Sequence, residues 1–246
     1  MAPLSRTLAV LAGAFLFTLI LCGGASAQEA SAVVAESGLS MRVVQLFLMV
    51  TVLSMAPGIA MMITCLPFMV IVFSILRQAI GLQQAPPNML IMSLALFLTY
   101  FVMEPVFSEA WRTGVQPLLD QDITEAQAFE RALAPFEAFM NGRVSPVAIE
   151  ALSEVAPARI AADGATPLSI LIPAFMLSEI QHAFEIGFVI FLPFLVIDLI
   201  IASVLMAMGM MMVPPAIVSL PFKLAFFVLA NGWIEIAGAV VKGYGT

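Results

Sequence analysis

PFLVIDLIIASVLMAMGMMMVPPAIVSLPFK, residues 193–223, decides how this chain is read. A long apolar run breaks at Gly209, at Met210, Met211 and Met212, and at Pro214 and Pro215; a second apolar run follows. One acid, Asp198, lies in the first run and one base, Lys223, in the second. Ordinary membrane hairpins need none of this. Thioether side chains are unbranched and polarisable, so they repack around objects of different shape. Proline supplies no backbone donor and stops a helix from continuing. A flexible apolar collar between two rigid helices is what a pore needs if it must close tightly and still pass a varied cargo. The plain alternative makes these methionines packing residues, as Met61 and Met62 are read.

Working outward, composition puts the chain in a membrane. Hydrophobic residues make up 62% of the 246 and charged residues 10%, against about 25% charged in a typical soluble domain. No charge falls in 43–76 or in 78–103, and runs of this length exceed the roughly 20 residues that cross a bilayer core. The fold class is therefore all-α, built of integral-membrane-type helical hairpins. Four spans are expected, near Val43–Ile75, Met89–Val106, Ile186–Met208 and Ala216–Val241, in two hydrophobic pairs, 43–106 and 185–246. Pro57 and Pro67 predict a kink or break in the first span, which neighbouring helices must satisfy.

The N-terminus reads as a separate element. Arg6, the apolar run Leu8–Leu21 and Ala25-Ser26-Ala27 have the three-part layout of a signal peptide, residues 1–27, cleaved after Ala27. The competing reading is a first transmembrane helix. Acidic Glu29 and Glu36 just beyond the site favour cleavage, leaving 28–42 as a short extracytoplasmic N-terminus. Cys65 would then be the sole cysteine, with no partner for an intrachain disulfide.

Threaded from that leader, Arg77 is cytoplasmic and 107–184 faces outward. Basic residues gather in short cytoplasmic loops, whereas long translocated segments are nearly indifferent to charge. The leader therefore carries the orientation. The outward segment reads as helical. Thr124 and Gln127 have capping-box spacing, and Ala126, Phe129, Leu133, Phe136 and Met140 follow at helical intervals, with Gly142 as a stop. Ser145-Pro146 and Thr166-Pro167 each pair a good cap with proline at the first helical position.

Catalytic chemistry is nearly absent. The single histidine, His182, lies in SEIQHAFE with Ser178, Glu179 and Glu185 at three- and four-residue spacing. An enzyme would make His182 a general base. There is no H-E-x-x-H, second histidine or glycine-rich phosphate loop, so Glu179, His182 and Glu185 read as a polar cluster where a helix enters the membrane. For the same want of ligands, no metal and no cofactor is expected. Asp198 and Lys223 are each costly in lipid, by about 2.5–3.5 kcal/mol. Pairing offsets part of that cost. The pair is read either as a structural lock, within or between subunits, or as a proton or ion relay. The lock is preferred because a relay normally brings further acids or histidines into the spans, and Glu235 lies nearer a helix end.

The stretches LRQAIGLQQAPPNMLIMSLALFLTYFVMEPV (76–106) and PAFMLSEIQHAFEIGFVIFLPFLVIDLIIASVLMAMGMMMVPPAIVSLPFKLAFFVLANGW (173–233) resemble the FliP family of flagellar biosynthetic proteins. GMMMVPP, SLPFKL and PPN carry the match, and block order, spacing and leader agree with it. The injectisome homologue SctR shares GMMM and SLPFKL, but usually lacks the leader and the long insert. Cys65-Leu66-Pro67-Phe68 departs from the Ser/Thr-Phe-Thr-Arg pattern of many relatives. The resemblance implies a non-enzymatic core subunit of the flagellar type III export gate. It further implies a pentamer, assembled with FliQ, FliR and other flagellar export components in the inner membrane at the flagellar basal body, passing unfolded flagellar subunits. No nucleic-acid partner is expected. The family's methionine gasket matches Met210, Met211 and Met212. It also implies a complex raised towards the periplasm, in which apolar helices need not be simple spans. The alternatives are an injectisome gate subunit, a small-solute or ion transporter, which would show inverted repeats, and an intramembrane enzyme.

Overall fold

The structure, a computed structural model, describes residues 39–82, 85–155, 166–210 and 212–244. The proposed leader, 1–27, lies outside them, as do most of 28–42 and Met211. Contacts divide the chain into two units, Met1–Pro57 and Gly58–Thr246. Helix α1, Leu39–Met62, supplies the described part of the first unit and runs on past it. It is apolar on every side, with no face marked for solvent.

In the second unit the order is α2 (Leu66–Ile80), α3 (Asn88–Ala110), a π turn (Trp111–Val115), α4 (Gln116–Leu119), α5 (Glu125–Asn141), α6 (Pro146–Val155), α7 (Leu168–Ala207), α8 (Pro215–Leu229) and α9 (Gly232–Lys242). The chain is all-α, with no strand among the described residues. The core is built on α2. Its Phe68, Met69, Val72, Phe73 and Leu76 are buried, and Ile91 and Met103 of α3, Ala183 and Phe194 of α7, and Phe227 of α8 close around them. Gly187 lets α7 approach, because a Cβ there would run into Ile75. A second, smaller cluster joins Met140 to Leu171 and Phe175.

Two of the four expected spans are not straight helices, the first in keeping with the break that Pro57 and Pro67 predict. The first span is broken at Ile63–Cys65, and α2 restarts with Pro67 in its first turn, where a missing N–H costs nothing. The fourth is bent by 61° between α8 and α9, at Asn231, whose φ of 50° is left-handed. Among the described residues, two helices are long and apolar enough to cross a membrane. These are α3 with its continuation, Asn88–Leu119, and α7; a third is added if the bent pair is one span. α7 is one unbroken helix of 40 residues with Pro173 and Pro193 inside it, so it passes without interruption from the 107–184 segment into the apolar pair.

Within 107–184 the local signals hold at Thr124 and are displaced by one residue at Pro167. The Thr124 hydroxyl accepts from Gln127 N–H at 3.4 Å and the Gln127 side chain accepts from Thr124 N–H at 3.2 Å, closing the capping box. α5 ends at Asn141 with Gly142 as its cap. At α7, Pro167 takes the cap position itself, and its carbonyl accepts from Leu171 N–H at 2.9 Å. Gly114 in the π turn presses on α5: a Cβ there would lie 2.6 Å from Ala132 Cβ.

Candidate functional site

The Met-rich loop begins where α7 stops. Met208 caps the helix and Gly209 follows at φ 73°, open to space. Gly209 N–H donates to Met206 O at 3.0 Å and Met210 N–H to Leu205 O at 2.9 Å. This pair of bonds is the Schellman ending, which needs a left-handed residue after the cap and therefore favours glycine. Met210 is 37% exposed and Met212 98% exposed. Pro214 caps α8 and Pro215 opens it. Met210 and Met212 thus hang on a short tether between two stiff ends, and Met212 packs on almost nothing in its own chain.

Below the loop, α7 and α8 face each other through a polar seam. Lys223 Nζ donates to Asp198 Oδ2 at 2.6 Å and to the Ala79 carbonyl at 3.2 Å. Ser219, one turn before Lys223, donates to Asp198 Oδ1 at 2.6 Å. The Lys223 side chain is 8% exposed and that of Asp198 33%. Ala79 sits in the last turn of α2, where carbonyls lack helical partners and the helix dipole favours a cation. The ammonium therefore ties α2, α7 and α8 together, and the pair forms within one chain.

Glu179, His182 and Glu185 of SEIQHAFE do not form one cluster. Glu179 is fully buried, whereas His182 and Glu185 are exposed. The edge of the interface under α7 runs between them. Glu185 accepts from Gln181 Nε2 at 3.0 Å. Glu179 instead accepts from Arg143 Nε at 3.0 Å and from the Tyr244 hydroxyl. Arg143 Nη1 donates to Gly243 O at 3.1 Å, and its guanidinium lies 3.9 Å from the Tyr244 ring centroid. Ser145 N–H reaches Ser178 Oγ at 2.9 Å. Burial first, and then the Glu179 charge, push the Tyr244 phenol's pKa up, so its hydroxyl keeps its proton and remains a donor. Arg143 and Tyr244 were not singled out from sequence. They lie 36 and 65 positions from Glu179, and no spacing links them.

No group of three or more His, Cys, Asp or Glu is placed to hold a metal among the described residues. Cys65 is a free, buried thiol. An apolar groove of about 750 Å³ lies between the α2–α3 connection and the α8–α9 corner, with Ile80, Leu90, Phe227 and Trp233 in its walls.

A helical chain with long, exposed apolar helices, an ion pair between two of them and a methionine loop at their tip defines a class of helical membrane protein. The FliP family model matches residues 49–240. The flagellar biosynthetic protein FliP of Caulobacter vibrioides is 52% identical over 211 residues, covering 85% of this chain and 79% of the relative. That of Agrobacterium fabrum is 49% identical over 205 residues, with 82% and 84% covered. FliP of Bacillus subtilis is 42% identical over 213 residues, with 82% and 91% covered. The chain belongs to the FliP family, and so to flagellar biosynthesis.

Proposed function

We propose that this chain is a core, non-enzymatic subunit of the flagellar protein export gate, and that Met210, Met211 and Met212 close its pore. The observation that carries the reading is the tethered loop: large, soft side chains held by a Schellman ending on one side and a double proline on the other, with Met212 98% exposed. Side chains of this kind fill an irregular hole when several copies converge, and a hydrophobic constriction excludes water and ions by dewetting. Several copies of the chain, with FliQ and FliR, make the channel for unfolded flagellar proteins in the inner membrane, and 107–184 faces the periplasm. Asp198 and Lys223 act as a structural lock that keeps the loop's two supports in register. The relay reading loses ground because both charges are already occupied by fixed partners, Ser219 and the Ala79 carbonyl.

The test is removal of residues 210–212 in cells. The complex should still assemble and co-purify, since the scaffold lies outside the loop, while the membrane should leak ions and growth should suffer. Leu at all three positions should alter leak less than export rate. An assembled complex with unchanged conductance and normal export would return these methionines to packing.

A further inference from the structure

We propose that residues 232–244 form a latched strap, closed when buried Glu179 holds Tyr244 and Arg143, and able to swing about the Ala230–Asn231 corner when that contact opens. The inference stands on geometry alone and is independent of the export reading.

Packing holds α9 weakly. Only Gly232 and Val240 of its residues are buried, while Ile234 is 74% exposed. Its ends are held by two different devices. At the first end the chain turns through 61° at Asn231, in the left-handed region that asparagine tolerates as a single residue. Gly232 lies against the Phe227 ring, and Trp233 meets that ring edge-on at 5.5 Å. Ala230 and Asn231 themselves are exposed, so the corner has room to rotate.

The second end is held by polar contacts in an otherwise apolar setting. Glu179 takes two donors, from Arg143 on the loop after α5 and from Tyr244 just past α9. Arg143 adds a bond to Gly243 O and covers the Tyr244 ring. Phe68 meets the same ring edge-on at 5.2 Å. In a low-dielectric site such a network is strong when complete and costly when half made, which favours closed or open over anything between. Opening would widen the surface groove in which Ile186, Val189 and Ile190 of α7 face Ile236, Ala239 and Val240 of α9, with Glu185 and Glu235 also in its lining.

Hydrogen exchange on the full-length protein, extracted from membranes in detergent, tests this. In the unaltered protein, amides of 236–242 should exchange together at least tenfold faster than those of 69–79 in α2. Tyr244→Phe should speed the first group about tenfold more and leave the second within twofold. Cysteines at positions 139 and 244, bridged by a short bis-maleimide, should slow α9 exchange towards the α2 rate. Phe139 stacks on Tyr244 with centroids 6.3 Å apart, which puts the pair within reach. Equal rates for α9 and α2 in the unaltered protein would overturn the strap. So would a Tyr244→Phe protein in which α9 is unchanged, or in which both groups accelerate alike, as for a merely structural tyrosine.

Discussion

Lys223 and Asp198 share one bond but not one environment. The ammonium is almost sealed, at 8% exposure, whereas a third of the carboxylate side chain remains open. Removing one partner of a buried pair costs about 3–5 kcal/mol, because it leaves the other charge uncompensated. The cost should therefore be asymmetric. Asp198→Ala strands the buried ammonium on the Ala79 carbonyl alone and should fall within that range. Lys223→Ala leaves a carboxylate that still has Ser219 and some access to its surroundings, and should cost less. Ser219→Ala, which removes one charge-assisted hydrogen bond, should cost about 1.5–3 kcal/mol. Thermal melting of the detergent-extracted protein gives the order, and a Lys223→Ala protein less stable than Asp198→Ala would contradict it. Asp198 and Lys223 are legible in the sequence because each stands alone in an apolar run. Ser219 and the Ala79 carbonyl were invisible, since serine is unremarked in such runs and a carbonyl leaves no mark in sequence.

At the scale of elements, local chemistry was legible and the positions of tertiary breaks were not. The capping box at Thr124 depends only on residues three apart, and it formed as read. The break at Ile63–Cys65 was signalled by Pro67, which sits in the first turn of α2, but periodicity in so apolar a stretch did not fix its position. The corner between α8 and α9 did have a signal, the Asn231-Gly232 dipeptide, which marks turns, but the surrounding hydropathy masked it. Glu179 shared a helical spacing with His182 and Glu185, and only the position of the neighbouring loop separates the buried one from the exposed two. Two glycines of α9 allow a sharp comparison. At Gly232 a Cβ would overlap the Phe227 ring, which is itself hemmed in by Phe194 and Trp233, with centroids 6.2 and 5.5 Å away. Gly232→Ala should destabilise by about 1–3 kcal/mol, the cost of overpacking. At Gly238 nothing lies within 4 Å, so Gly238→Ala should stabilise by about 0.5–1 kcal/mol through helix propensity. Melting temperatures moving in the same direction for both would refute this account of the corner.

For the whole molecule, orientation in the membrane rests on the leader, which lies outside the described residues. Sequencing the mature protein from its N-terminus should give Gln28 first; an intact Met1 in the assembled protein would make residues 8–21 a retained helix and reverse the threading. The length of α7 adds a constraint that no leader can change. Its 40 residues rise about 1.5 Å each, roughly 60 Å in all, against a hydrocarbon layer of about 30 Å. Its apolar part, 186–207, rises only about 33 Å and so matches that layer, while 168–185, with Glu179, His182 and Glu185, extends beyond it. The other half of α7 therefore stands clear of the acyl chains, where Leu171 and Phe175 hold Met140, so the segment 107–184 is docked on a rigid extension of an apolar helix rather than on the lipid surface.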